Sequence, residues 1–230
     1  MRAILAALTA SALLSGAALA DDGPVVVELF TSQGCSSCPP AHEILDLLAA
    51  EPEIIALALH VDYWDYLGWR DSFGSAQNSE RQQAYARAAG QRTVYTPQFI
   101  VEGQDHIIGA KAMEVMSRIR AHEGIETGVD LVVERNGDLH LVSLTSVESV
   151  PMVVQLVRYL PHQDVEVLGG ENAGRQLSYS NIVTRWDIIA DWDGAGPLTL
   201  DVEISGSDPA VLIVQGAGAG PILAAARFDR

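Results

Sequence analysis

Cys35 and Cys38 are the chain's two cysteines, and they form a Cys-x-x-Cys between a run of β-formers and an apolar-periodic helix. A pair so placed demands a strand that stops abruptly, a tight loop and a helix that starts at once. The junction has chemical consequences, because amides and the dipole at a helix N-terminus favour a thiolate. Reversible thiol-disulfide exchange, metal ligation and a permanent staple all use such a pair.

Cellular context bears on the choice. Residues 1–20 follow the pattern of a secretion signal, with Arg2, an apolar run through Ile4, Leu5, Leu13 and Leu14, and Ala18-Leu19-Ala20 before Asp21. Cleavage after Ala20 is expected. The alternative, an uncleaved anchor, is weakened by Thr9, Ser11, Ser15 and Gly16 inside the run. A periplasmic or secreted location follows, where disulfides persist. The net charge of −16 with fourteen Lys and Arg argues against nucleic acid and anionic membranes, which need a basic face, so no nucleic-acid partner and no membrane insertion of the processed chain are expected.

Val25 to Phe30 reads as a strand buried on both faces. Ile44, Leu45, Leu47 and Leu48 then mark the apolar side of a helix that stops before Glu51-Pro52, and Ile54 to Val61 is a second strand. Strand, helix, strand implies a right-handed parallel crossover with the cysteines at the carboxyl end of the first strand. Tyr63, Trp64, Tyr66, Trp69 and Phe73 crowd the next loop, either closing over a core or walling a groove beside the cysteines. Ala76 to Ala89 reads as a helix with Asn78, Ser79, Arg81 and Gln82 on its wetter side. A hairpin follows, with Thr96-Pro97 introducing its first strand and His106-Ile107-Ile108 its second. Ala112, Met113, Met116 and Ile119 mark a last helix, ended by Gly124.

From Gly128 the pattern changes to short alternating runs: Val129 to Val133, Leu139 to Leu144, Met152 to Leu160, Val165 to Leu168, Ile182 to Ile189, Leu198 to Ile204, Ala210 to Val214 and Ile222 to Phe228. Asn136-Gly137 is a hairpin signal between the first two. Such spacing predicts a small β-sandwich. The expected organisation is therefore an α/β domain over 21–125 followed by an all-β, sandwich-like domain over 126–230.

With a Cys-x-x-Cys after the first strand and Thr96-Pro97 before a late hairpin strand, the first half resembles the thioredoxin family. The whole chain is similar to a family of exported bacterial proteins of unknown function, with a thioredoxin-like domain followed by a β-rich one. Carrying that similarity are Glu28 to Pro40, His60-Val61-Asp62-Tyr63-Trp64, Tyr95-Thr96-Pro97-Gln98 and Gly170-Glu171-Asn172-Ala173-Gly174-Arg175. It departs from ordinary thioredoxins in having Gly34 where they carry a tryptophan and Ser36-Ser37 between the cysteines. Pro39-Pro40 removes two amide donors, which costs least if the helix begins at Pro39.

The resemblance implies a thiol-disulfide redox protein. Cys35 attacks and Cys38 resolves, the Thr96–Pro97 bond is cis and faces the cysteines, and Glu28 is a buried acid that handles the second thiol's proton. For Glu28 the alternatives are a wet strand end or a pairing with a basic residue such as Arg92, and for Thr96-Pro97 a plain trans turn. Partners would be protein thiols or disulfides and a redox partner protein, with no cofactor. The rival reading is copper or zinc binding by Cys35, Cys38 and His42, completed by His60 or His106. A third is a binding module with a structural disulfide. In the second half the dense run Gly169 to Arg175 reads as a structural loop at the junction between the halves rather than a phosphate cradle, since no helix follows it, and Arg175 would lock a turn or reach an acid of the first half.

Overall fold

The computed structural model describes residues 23–136 and 139–228, so the expected signal over 1–20 lies outside the described residues, as do Gly137 and Asp138 of the expected hairpin turn. The chain runs β1 (Val25–Thr31), α1 (Pro39–Ala49), β2 (Ile54–His60), α2 (Ala76–Ala88), β3 (Gln98–Val101), β4 (Asp105–Ile108) and α3 (Ala112–His122). It continues as β5 (Val129–Asn136), β6 (Leu139–Ser146), β7 (Met152–Val167), β8 (Arg175–Trp192), β9 (Leu198–Glu203), β10 (Ala210–Gly216) and β11 (Ile222–Arg227). Short 3₁₀ turns cover Asp65–Leu67 and Gly170–Asn172. Among the described residues no helix is long and apolar enough to cross a membrane.

One correction is architectural. A thioredoxin-like α/β domain followed by a separate all-β one would keep the two halves in different sheets, whereas a single eight-stranded mixed sheet runs β11-β10-β7-β8-β2-β1-β3-β4. Among the described residues the protein is mostly β, with three α-helices, and the remaining strands form a second sheet, β5-β6-β9. The join lies where β8 pairs parallel to β2 at Ala58 and Ile182. Beside it Asn181, at φ 49, sends its side-chain amide to the Ala56 carbonyl at 2.9 Å.

What conceals the join in the sequence is the length of β7 and β8, 16 and 18 residues. The run Met152 to Leu160 does not stop at Pro161: Leu160 pairs with Ile182 and His162 with Ser180, so the ladder continues on both sides of the proline. The long ribbon therefore reaches past its own half and supplies an edge to β2.

Strand alternation sends β1 side chains to opposite faces. Val25, Val27 and Leu29 meet Ala41, Leu45 and Leu48 of α1 and Val115 and Ile119 of α3. Val26 and Phe30 meet Tyr85 of α2 together with Val157, Trp186, Val211 and Ile213 from the second half. Each fully buried Leu or Phe here contributes about 1.5–3 kcal/mol of transfer free energy. The second sheet packs Val142, Leu144 and Val202 against Met152, Val154, Leu212 and Phe228.

Two helix faces differ from their apolar patterns: Leu47 and Met113, expected on buried sides, are exposed. Conversely the expected wet side of α2 is interior, with Asn78, Ser79 and Gln82 all buried. Hydrogen bonding explains this. Asn78 Nδ2 donates to the His60 carbonyl at 2.8 Å, and Gln82 Nε2 donates to the Tyr95 carbonyl and to Gln98 Oε1, both at 2.7 Å, so burial leaves those groups satisfied.

Candidate functional site

β1 ends at Thr31 and the chain turns tightly, with Cys35 N–H donating to the Ser32 carbonyl and Cys38 N–H to the Cys35 carbonyl, both at 3.2 Å. Cys38 is the helix N-cap with helical backbone angles, and Pro39 and Pro40 take the first two helical positions. Two positions whose amides lack intrahelical partners are thus filled by residues with no N–H. The cysteines are joined as a disulfide with Cα atoms 5.4 Å apart. Ser37 Oγ lies 3.4 Å from Cys35 Sγ.

Both sulfur-bearing residues are covered, Cys35 at 3% and Cys38 at 1% exposure. The segment Gly169–Arg175 is tied to the loop that carries Cys35. Asn172 Nδ2 donates to the carbonyls of Gln33 and Cys35, each at 2.9 Å, and Arg175 Nη1 holds the Asn172 Oδ1 at 2.9 Å. Glu171 Oε2 accepts from Ser36 Oγ at 2.7 Å and Ser36 N–H at 3.1 Å. Those two donors hold the Glu171 carboxyl below its usual range. The sequence flags this loop by density alone; that it lies on the cysteines follows from the β8–β2 join.

Trp64 packs on the turn just before Cys35. Trp64 Cβ sits 3.6 Å from where a Gly34 Cβ would be, and its Nε1 donates to Thr96 Oγ1 at 2.8 Å. The Thr96–Pro97 bond is cis. Trp64 therefore spans from the cysteine loop to the β3 approach, and the exposed ring of Tyr66 stacks against it at 6.4 Å between centroids. Trp69 lies further along, donating through Nε1 to Gln33 Oε1 at 2.8 Å.

Glu28 is fully buried but is not free. Arg81 grips it with two bonds, at 2.6 and 3.0 Å, and the Tyr85 hydroxyl donates to it as well. Arg81 also lies 3.7 Å above the Trp186 ring and donates to Gln155 and Gln215. This network is on the α2 face of the sheet, while α1 with its Cys38 cap packs on the other. Arg92, the basic partner considered from sequence, is exposed. His106 belongs to the Glu28 side, its ring against Tyr85 at 6.0 Å.

Under α1 lies a second polar cluster. His42 is buried, with Nε2 bound to Thr31 Oγ1 at 2.7 Å, and its ring packs on Tyr179 at 4.5 Å and lies 5.8 Å from that of His60. His60 Nδ1 pairs with Asp71 Oδ2 at 2.8 Å, and Asp71 also receives the Gln33 and Phe73 amides. Burial, reinforced by His60, pushes His42 well below the ordinary histidine value. Burial alone would raise Asp71, but His60 and the two amides outweigh it and lower its pKa. Among the described residues no group of three or more His, Cys, Asp or Glu is placed to hold a metal ion.

Residues 26–215 match a family described as protein of unknown function, DUF1223. No curated protein matches the chain. A crystal structure of a protein from Agrobacterium tumefaciens is 34% identical, covering 89% of this chain and 93% of that one, with a TM-score of 0.75. HBP35 of Porphyromonas gingivalis, at 16% identity, covers 90% of this chain and 74% of its own with a TM-score of 0.58, a likeness of fold.

Proposed function

The chain belongs to the DUF1223 family of unknown function, and we propose that it is an exported thiol-disulfide redox protein acting through Cys35 and Cys38 on protein thiols or disulfides. The observation that carries the reading is the disulfide itself, closed across a strand-to-helix turn with Cys38 as helix cap. Trp64 supports it by linking that loop to the cis Thr96–Pro97 segment.

The exchange balances without a cofactor. A client thiolate attacks Cys35 Sγ; the Cys35–Cys38 bond breaks, and its electron pair goes to Cys38 Sγ, which takes a proton from solvent. A second client thiolate then attacks the client sulfur of the mixed disulfide and expels the Cys35 thiolate, leaving the client oxidised and the pair reduced. Ser37 Oγ is placed to donate to the departing Cys35 thiolate, which favours the charged form. The opposite direction uses the same steps reversed.

The burial of both cysteines favours a second reading, a structural disulfide in a binding module. The redox midpoint of the pair separates the two. A midpoint above about −300 mV, with Cys35 exchanging with protein thiols in the folded state, supports the redox protein. A lower midpoint with no exchange supports the staple.

A further inference from the structure

Resting on the redox reading, we infer that Gly169–Arg175 occupies the seat of the client at the disulfide, and that an extended, cysteine-bearing polypeptide docks by displacing it. Exchange needs a sulfur nucleophile in line with the S–S bond, and residues exposed by only 3% and 1% give a protein thiol no such approach. The cover must therefore move for a protein to react.

What the cover touches identifies what replaces it. Along the loop before and through the cysteines, the carbonyls of Gln33 and Cys35 are acceptors held by Asn172, and the Ser36 N–H is a donor held by Glu171. The two carbonyls are acceptors that main-chain N–H groups of an extended peptide complement, whereas the Ser36 N–H points the other way from the Cys35 carbonyl across their shared trans peptide group and lies at the exposed side. The Asn172 carboxamide carries the same groups as a peptide bond: its N–H side serves the two carbonyls while its oxygen accepts from Arg175.

A client backbone substitutes type for type. Its N–H groups take the Gln33 and Cys35 carbonyls, Arg175 passes from Asn172 to a client carbonyl, and the exposed Ser36 N–H and hydroxyl turn to water as Glu171 leaves. No buried polar group is left bare, so displacement avoids the desolvation cost of simply opening the loop. Beside the seat, Trp64 and the exposed Tyr66 offer an aromatic surface to apolar residues flanking the client cysteine. The closed position is well defined, since a Cβ at Gly169 would come within 2.7 Å of the Gly68 carbonyl and Gly170, at φ +71, rests on Trp69.

The test uses the oxidised protein and follows reduction of its disulfide by dithiothreitol. Asn172→Ala removes two hydrogen bonds to the loop and is expected to accelerate reduction about tenfold or more. Arg175→Met, which loosens Asn172 without touching the cysteine loop, serves if Asn172→Ala fails to fold and is expected to act in the same direction. A second arm joins a short peptide with a central cysteine to Cys35 of the Cys38→Ser protein as a mixed disulfide. The Asn172 side-chain amide protons, protected in the free protein, are expected to exchange freely in that adduct. Variants reduced no faster than wild type, or Asn172 protons still protected in the adduct, overturn the inference while leaving the redox reading intact. A disulfide that resists reduction in every form until the chain unfolds removes the redox reading itself.

Discussion

Glu28 and Arg81 form a two-pronged ion pair in the interior, Nε to Oε1 at 2.6 Å and Nη2 to Oε2 at 3.0 Å, on the sheet face opposite α1. The residue that the thioredoxin resemblance marks as a proton handler thus has a different neighbour. Gln155 and Gln215 join the pair from β7 and β10, so it ties the first half of the chain to the second.

Removing one partner strands a buried charge. Glu28→Gln and Arg81→Met are each expected to lower unfolding free energy by about 3–5 kcal/mol, read from urea denaturation, with the double replacement costing less than the sum. Glu28→Gln should leave the thiolate titration of the reduced protein unchanged. A shift there of about one pH unit would identify Glu28 as the proton partner of Cys38.

Two buried groups pull the pH dependence in opposite directions. Burial raises the Glu102 carboxyl from 4.5 to about 8, so the unfolded chain ionises first and stability falls as pH rises between those values. His42 is held well below 6.5, so the unfolded chain gains a proton first and stability falls as pH drops below 6.5. Glu102→Gln keeps an acceptor for the Val26 N–H and is expected to stabilise the protein at pH 8 by about 2 kcal/mol or more. With Glu102 replaced the His42 contribution stands alone, and adding His42→Gln to Glu102→Gln is expected to remove the loss of stability between pH 6.5 and 5. Unfolding curves across pH 5 to 8 check both: a wild-type protein that does not lose stability from pH 6.5 to 8, or a Glu102→Gln protein that does not lose it from pH 6.5 to 5, would refute the assignments.

Gly34 tests how closely Trp64 packs on the cysteine loop. A Cβ at Gly34 would meet Ser32 Oγ and Trp64 Cβ at 3.6 Å, ordinary contact distances. Gly34→Ala is therefore expected to change stability by under about 1 kcal/mol. Gly34→Trp should cost about 1–3 kcal/mol or more by overpacking, and Trp64→Ala should relieve it. Thermal unfolding of the two single variants and the pair measures the coupling.

Much of the local structure is legible from the residues alone. β1 and β2 read as buried strands because they are apolar on both faces, and α1 begins at Pro39 because a proline costs nothing there. The polar side of α2 is less readable: Asn78, Ser79 and Gln82 look solvated in sequence, and only partners on β2, at Asp62 and around Tyr95 to Gln98 satisfy them in the interior. Likewise Glu28 signals a special acid, but nothing near it in sequence names Arg81, 53 residues away.

By itself the sequence determined the turn from β1 into α1 that carries Cys35 and Cys38, because propensity, proline placement and apolar period act over a few neighbouring residues. Only the tertiary structure decided that the halves share one sheet and that Asn172 closes over Cys35 from 137 positions away. Strand pairing and burial of polar groups depend on which distant edges and partners meet, and those are long-range contacts that local pattern does not encode.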